Sequence, residues 1–112
     1  MKHYNHITLL GEIVEAVSMP QTRNIKHHKL LTIKTRDSWK KEIESYTTHR
    51  VLIYNNKMIS QYFYKLKPGT GIFVEGTLRN REWTGEDGRI HYMPEIIVPW
   101  NGIVSILGEK NE

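Results

Sequence analysis

The feature that most restricts the fold is a change in the spacing of apolar residues near the middle of the chain. Before and after that point, apolar side chains alternate with polar ones or form short runs, which is the pattern of β-strands. At residues 57–66 the large apolar side chains instead fall at i, i+1, i+4, i+5 and i+8, which is one face of a helix about three turns long. Pro68 and Gly69 predict its end.

Strand candidates lie on both sides of this helix. They cover residues 7–17, 30–35, 46–54, 71–78, 89–98 and 103–107. Gly11 inside the first strand predicts a bulge or a sharp bend, and the pair Asp87-Gly88 predicts a hairpin turn. One helix is too few for a parallel sheet with crossover helices. We therefore predict an all-β fold, a five-stranded Greek-key barrel of the OB type with one helix between strands 3 and 4. A β-sandwich is the alternative, and the helix counts against it.

Length and composition indicate one ordinary globular unit. The 112 residues suffice for a single domain, residues 1–112, and no apolar run approaches the roughly 20 residues of a membrane span. There are no cysteines and no secretory leader, so we expect a cytoplasmic protein without disulfides. The net charge of +4 makes a polyanionic partner plausible without identifying it.

Basic and aromatic residues interleave after the fourth strand candidate. Alternation along a strand places Arg79, Arg81 and Trp83 on one face. Arg50 and Tyr54 share a face of the third strand in the same way. Guanidinium groups beside open aromatic rings follow a phosphate backbone and offer stacking planes to bases.

A second basic cluster surrounds Trp39, in the most polar part of the chain. Its cations are Arg36, Lys40 and Lys41. We expect Trp39 and Trp83 to be stacking surfaces and not core, whereas Trp100 is expected in the core or in an interface.

The sequence lacks the residue patterns that are typical of enzyme active sites. The histidines lack metal-binding spacings such as HxxxH or HExxH, and the carboxylates are scattered with no acid/base pair. Phosphate-binding glycine loops and a nucleophile elbow are missing as well. We expect no enzyme, no cofactor and no metal site.

With these residues in view, the sequence resembles the bacterial single-stranded DNA-binding protein family over about residues 4–108. The matching segments, in order, are NHITLLG at 5–11, HRV at 49–51, VEGTLRNREW at 74–83, YMPEIIV at 92–98 and ILG at 106–108. The resemblance implies an OB fold, a homotetramer, and single-stranded DNA as the partner. It places base stacking on Trp39, Tyr54 and Trp83, and basic contacts on Arg50, Lys57, Arg79 and Arg81.

The sequence departs from the family pattern at three places. Thr48 occupies the position where the family commonly has a further tryptophan, and residues 15–17 replace an Asp-Pro. The sequence ends at Glu112 without the family's acidic, Phe-ended tip. We therefore expect a truncated or divergent member for which recruitment of repair and replication enzymes is in doubt.

The sequence thus predicts sequence-nonspecific binding and protection of single-stranded DNA in replication, recombination and repair. One alternative is a dimeric primosomal-type adaptor on the same fold, whose main role is protein recruitment. Another is RNA binding, which the length of the resemblance disfavours.

Overall fold

The computed structural model describes residues 1–19, 28–37, 44–54, 56–62 and 64–108. Within these ranges the elements, in chain order, are β1 (Ile7–Met19), β2 (His28–Arg36), β3 (Tyr46–Ile53), α1 (Asn56–Gln61), β4 (Gly71–Thr84), β5 (Ile90–Val98) and β6 (Ile103–Gly108). The predicted order of three strands, a helix, a long hairpin and a short final strand is confirmed. In the described ranges, no helix has the length and apolar character to span a membrane.

Five strands close into a ring in the order β1-β2-β3-β5-β4, because β4 pairs back with β1. Closure requires β1 to have two neighbours: residues 7–12 pair with β4, and residues 12–19 pair with β2. The β3–β5 pairing is parallel and the others are antiparallel, and β6 adds to the first half of β4. The closed ring confirms the OB-type barrel over the β-sandwich.

The core fills the ring with aliphatic side chains that alternate along the strands. Its buried members are Ile13, Leu31, Ile33, Val51, Ile53, Leu66, Ile72, Val74, Ile96, Val98 and Val104. Because successive side chains of a strand point to opposite faces, these positions fix which residues point away from the core. Residues of even number on β3 and odd number on β5 therefore face outward.

The first strand is irregular, but the bulge does not lie at Gly11, where a bulge or a sharp bend was predicted; the sharp bend stays a prediction. Gly11 pairs with Ile72 of β4 without a break, and the register shift lies between Ile13 and Glu15. Gly11 is required for another reason: a Cβ at this position would collide with the backbone carbonyl of Lys34. A glycine in a strand marks either a bulge or a close approach of two backbones, and here it marks the approach.

The helix is shorter than the three turns predicted for residues 57–66. α1 has six residues, Asn56–Gln61. Beyond it the Lys65 and Leu66 amides both donate to the Tyr62 carbonyl, at 2.8 and 3.1 Å, so the chain tightens into a turn. Leu66 is nevertheless buried in the core. The helical spacing therefore reflects the packing of the whole segment and not an unbroken helix.

The hairpin turn predicted at Asp87-Gly88 is confirmed. The Gly85 amide donates to the Arg89 carbonyl at 2.9 Å, and Gly88 has a φ of +76°, in the left-handed region that favours glycine.

Placement of Trp100 in the core was wrong. It lies in the turn after β5 and is 76% exposed. The apolar residues before it belong to a buried strand, which ends before Trp100 is reached. The other possibility named for it, an interface, stays a prediction.

Candidate nucleic-acid interface

The outward side chains of β2, β3, β5 and the second half of β4 form one continuous surface, called here the outer sheet face. We define it by Thr32, Thr48, Arg50, Tyr54, Arg79, Arg81, Trp83, His91, Met93 and Glu95. Strand register places these residues in rows. Thr32 lies opposite Arg50, and Arg79 lies opposite Glu95. An ion pair between Arg50 and Glu95 joins the two halves of that row across the parallel junction.

At the centre of this face, the Glu95 carboxylate lies between two guanidinium groups. Its side chain is fully buried. Glu95 Oε2 accepts a hydrogen bond from Arg50 Nε at 3.0 Å, and Glu95 Oε1 accepts from Arg79 Nε at 2.8 Å. Arg79 also donates to the Tyr54 hydroxyl at 3.3 Å. One negative and two positive groups leave this cluster with a net charge of about +1, next to an aromatic ring.

Arg79 keeps its charge in this setting. Partial burial acts to lower the pKa of its guanidinium, but the hydrogen bonds and charges of Glu95 and Tyr54 outweigh burial and raise that pKa above its ordinary value. Half of the Arg79 side chain is exposed. A cation is thus held in a fixed position with one side open to solvent.

Trp83 occupies the far end of the face, on the β4–β5 hairpin. Its ring stacks on that of His91 across the hairpin, with centroids 5.5 Å apart and planes inclined by 21°. The guanidinium carbon of Arg81 lies 5.8 Å from the Trp83 ring centroid. Trp83 is 40% exposed. The indole is therefore held in place by its neighbours while part of it stays open.

At the loop end of the β4–β5 hairpin, Asp87 contacts His91, the ring that stacks on Trp83. His91 Nε2 lies 3.2 Å from Asp87 Oδ1, and the Asp87 carboxylate also accepts a hydrogen bond from the Arg89 amide at 3.0 Å. The Arg89 amide, followed by the His91 contact, lowers the pKa of Asp87. Asp87 is consequently an acceptor that orients His91 against Trp83.

The profile of the Single-strand binding protein family matches residues 4–101. The chain belongs to this family. Among curated proteins, a single-stranded DNA-binding protein of Rickettsia conorii is 26% identical over 113 residues, which cover 96% of this chain and 74% of that protein.

Solved structures of single-stranded DNA-binding proteins share the fold. A Plasmodium falciparum protein, solved in complex with single-stranded DNA, has a TM-score of 0.82 at 22% identity and covers 96% of this chain and 98% of its own. A mitochondrial single-stranded DNA-binding protein from S. cerevisiae has a TM-score of 0.72 at 13% identity, with 97% and 100% covered. These matches agree with the ring of five strands described above.

The ten site residues predicted from the sequence fall into two groups. The structure brings five of them together on the outer sheet face: Arg50, Tyr54, Arg79, Arg81 and Trp83. The predicted shared face of Arg79, Arg81 and Trp83 is confirmed.

The other five predicted residues lie outside that group of five. Lys57 is exposed on α1. Arg36 points to the same side of β2 as Thr32, but at the exposed end of the strand, opposite Tyr46. Trp39, Lys40 and Lys41 lie outside the described residues.

Sequence reasoning missed Glu95 and His91, the two residues of the face that contact the predicted arginines and Trp83. Glu95 had been counted among scattered carboxylates, and His91 had no assigned role. The hairpin turn carried the missing signal, because residues equally distant from it pair across the two strands. That rule places Arg79 opposite Glu95 and Trp83 opposite His91, as observed.

A groove of about 370 Å³ opens on this face. Its lining residues are Thr32, Thr48, His49, Arg50, Met93 and Pro94. Thr48 stands where family members commonly carry a tryptophan, so a small side chain leaves space beside Arg50. The Thr35 hydroxyl lies 2.9 Å from His49 Nε2.

Proposed function

We propose that this chain binds single-stranded DNA with little sequence preference. The observation that carries the proposal is the interleaving of partly exposed rings with guanidinium groups along one face of the barrel. Trp83 lies beside Arg81, and the Tyr54 hydroxyl contacts Arg79. Membership of the Single-strand binding protein family and the shared fold support the same conclusion.

Each component of the face has a distinct task in this mechanism. The rings of Trp83 and Tyr54 stack on bases, and every base has a π-face, so stacking tolerates any sequence. The guanidinium groups neutralise phosphates and release counterions, which makes the affinity depend on salt. In the proposal, Trp39 supplies a further stacking ring, and Arg36, Lys40, Lys41 and Lys57 supply further basic contacts. Covering single strands in the cytoplasm during replication, recombination and repair is the proposed cellular role.

We also propose that the chain assembles as a homotetramer through a different face. The outward side chains of β1 and β6 include the exposed apolar residues Leu10, Ile103 and Leu107. They lie on the part of the barrel formed by β1, β6 and the first half of β4. Native mass spectrometry tests this assembly. A mass of four chains is expected, and a dimer would favour the adaptor function instead.

Titration with oligo-dT tests the binding proposal directly. We expect the tryptophan fluorescence to be quenched and the logarithm of the association constant to fall linearly with the logarithm of the salt concentration, by about 0.7 per phosphate neutralised. Duplex DNA and an oligo-U of equal length serve as competitors. Binding that is absent at low salt, tighter to duplex, or tighter to RNA would refute the proposal.

A further inference from the structure

Glu95 is an unusual residue to find in a surface that attracts phosphates. Its carboxylate is negative, fully buried and placed between the two cations at the centre of the outer sheet face. On the same strand and facing the same way, the neighbouring residues are Met93 and Ile97. A side chain needed only to fill this space would be apolar like them, because an apolar residue avoids the cost of removing a charge from water.

We propose that Glu95 sets the strength and the salt dependence of DNA binding by neutralising one of its two arginine partners while it fixes both guanidinium groups. Glu95 is then a positioning residue, since it acts on DNA through Arg50 and Arg79. This inference rests on the proposed binding of single-stranded DNA.

The geometry supports both parts of this role. Separate oxygens of Glu95 hold the two guanidinium groups, Oε2 for Arg50 and Oε1 for Arg79. The fixed Arg79 in turn donates to the Tyr54 hydroxyl, so the carboxylate also orients a ring expected to stack. Because Glu95 has no exposed side-chain surface, solvent cannot substitute for either contact.

The charge balance predicts how binding changes when the carboxylate is removed. With Glu95 ionised, the three charged groups offer about one positive charge to the DNA backbone; without it, Arg50 and Arg79 offer two. One additional phosphate is neutralised, so the salt slope for single-stranded DNA steepens by about 0.7. If the plots of log affinity against log salt concentration for the wild type and for the protein without the carboxylate meet near 1 M salt, the affinity at 20 mM is about fifteen-fold higher without the carboxylate.

The variant Glu95→Gln tests this prediction, with oligo-dT as the probe and the affinity measured from 20 mM to 1 M NaCl. Its matched control is Glu82→Gln. Glu82 is an exposed carboxylate on the opposite face of β4, and the substitution makes the same change in total charge. The salt slope is expected to steepen in Glu95→Gln and to stay within about 0.2 of the wild type in the control. Equal slopes in the two variants would overturn the inference.

A second variant separates charge from structural damage. Arg50→Gln/Glu95→Gln removes one charge of each sign and leaves the Arg79 cation. We expect weaker binding from the lost arginine but a salt slope close to that of the wild type, even if Glu95→Gln alone unfolds. A slope reduced by about 0.7 would show that Arg50 acts independently of Glu95 and would overturn the inference. Circular dichroism reports the folded fraction of each variant.

These outcomes also distinguish the inference from the proposed function. A wild-type protein that fails to bind oligo-dT refutes the function itself. A wild-type protein that binds with a normal salt dependence, while Glu95→Gln keeps the same slope, refutes only the role of Glu95.

Discussion

Replacing Trp83 with alanine removes a ring that the structure leaves partly open to a base. Trp83 is 40% exposed and one of its neighbours is already the His91 ring, so we expect it to stack on a single base. Stacking of one base on an aromatic side chain contributes about 1–3 kcal/mol. Trp83→Ala should therefore weaken oligo-dT binding by about 5- to 150-fold, at roughly 1.4 kcal/mol per factor of ten.

The loss must be separated from damage to the fold. Trp83 lies on the exposed half of β4, outside the core cluster, so unfolding by urea should show a change of no more than about 1 kcal/mol from the lost stack on His91. Binding is measured by fluorescence anisotropy of labelled oligo-dT. Trp83→Phe keeps an aromatic plane and should recover most of the affinity. Trp100→Ala removes an exposed indole elsewhere and should leave the affinity unchanged. Wild-type affinity in a folded Trp83→Ala protein would refute the reasoning.

Two further predictions concern stability. The side-chain amide of Asn5 makes two hydrogen bonds with the backbone of Leu78: its oxygen accepts from the Leu78 amide at 2.9 Å, and its nitrogen donates to the Leu78 carbonyl at 2.7 Å. Asn5→Ala should therefore lower the free energy of unfolding in urea by about 1–2 kcal/mol. In Asn5→Asp a carboxylate oxygen replaces the donor and faces the Leu78 carbonyl oxygen, so this variant should lose at least as much stability as Asn5→Ala, and a smaller loss would contradict the two-bond interpretation. Burial lowers the pKa of His49 below its ordinary 6.5, against the opposing charge of Asp37. The folded state thus favours the neutral His49 ring. The stability that His49 contributes is fully present above about pH 6.5, and it is lost as the pH falls, because the unfolded chain then binds a proton that the folded chain does not. Between pH 7 and 5 the wild type should lose more stability than His49→Gln, and parallel curves would refute this sign.

Strand periodicity allowed much of the outer sheet face to be predicted from the sequence. Alternation placed Arg79, Arg81 and Trp83 on one face, because a strand has a period of two whatever it packs against. The shared face of Arg50 and Tyr54 followed from the same rule. The sequence did not predict how the outward side of β3 joins that of β4 and β5. That junction is the parallel β3–β5 pairing, which brings together Arg50 and Glu95, 45 positions apart in the chain.

The remaining errors came from features that local sequence does not encode. The apolar spacing of residues 57–66 indicates only which side chains reach the core. A short helix followed by a turn at Tyr62 places them there as well as a three-turn helix would. Gly11 marks a position with no room for a side chain. The cause is the backbone carbonyl of Lys34 on β2, which the local sequence does not reveal. Trp100 looked buried by analogy with most tryptophans, and its position in a turn decided otherwise.

The second half of β4 has a consequence for local motion. Residues 77–84 are all exposed, and there the strand pairs with β5 beyond the stretch where β1 and β6 flank it. Beyond Arg79, whose guanidinium is bound to the buried carboxylate of Glu95, few buried contacts tie this arm to the barrel. We therefore expect the amides of residues 80–84 to exchange hydrogen without unfolding of the rest of the molecule. Trp83, Arg81 and His91 can thus shift together with the hairpin toward an incoming strand and keep their mutual contacts, while Ile72 and Val74, earlier on the same β4, stay in the core.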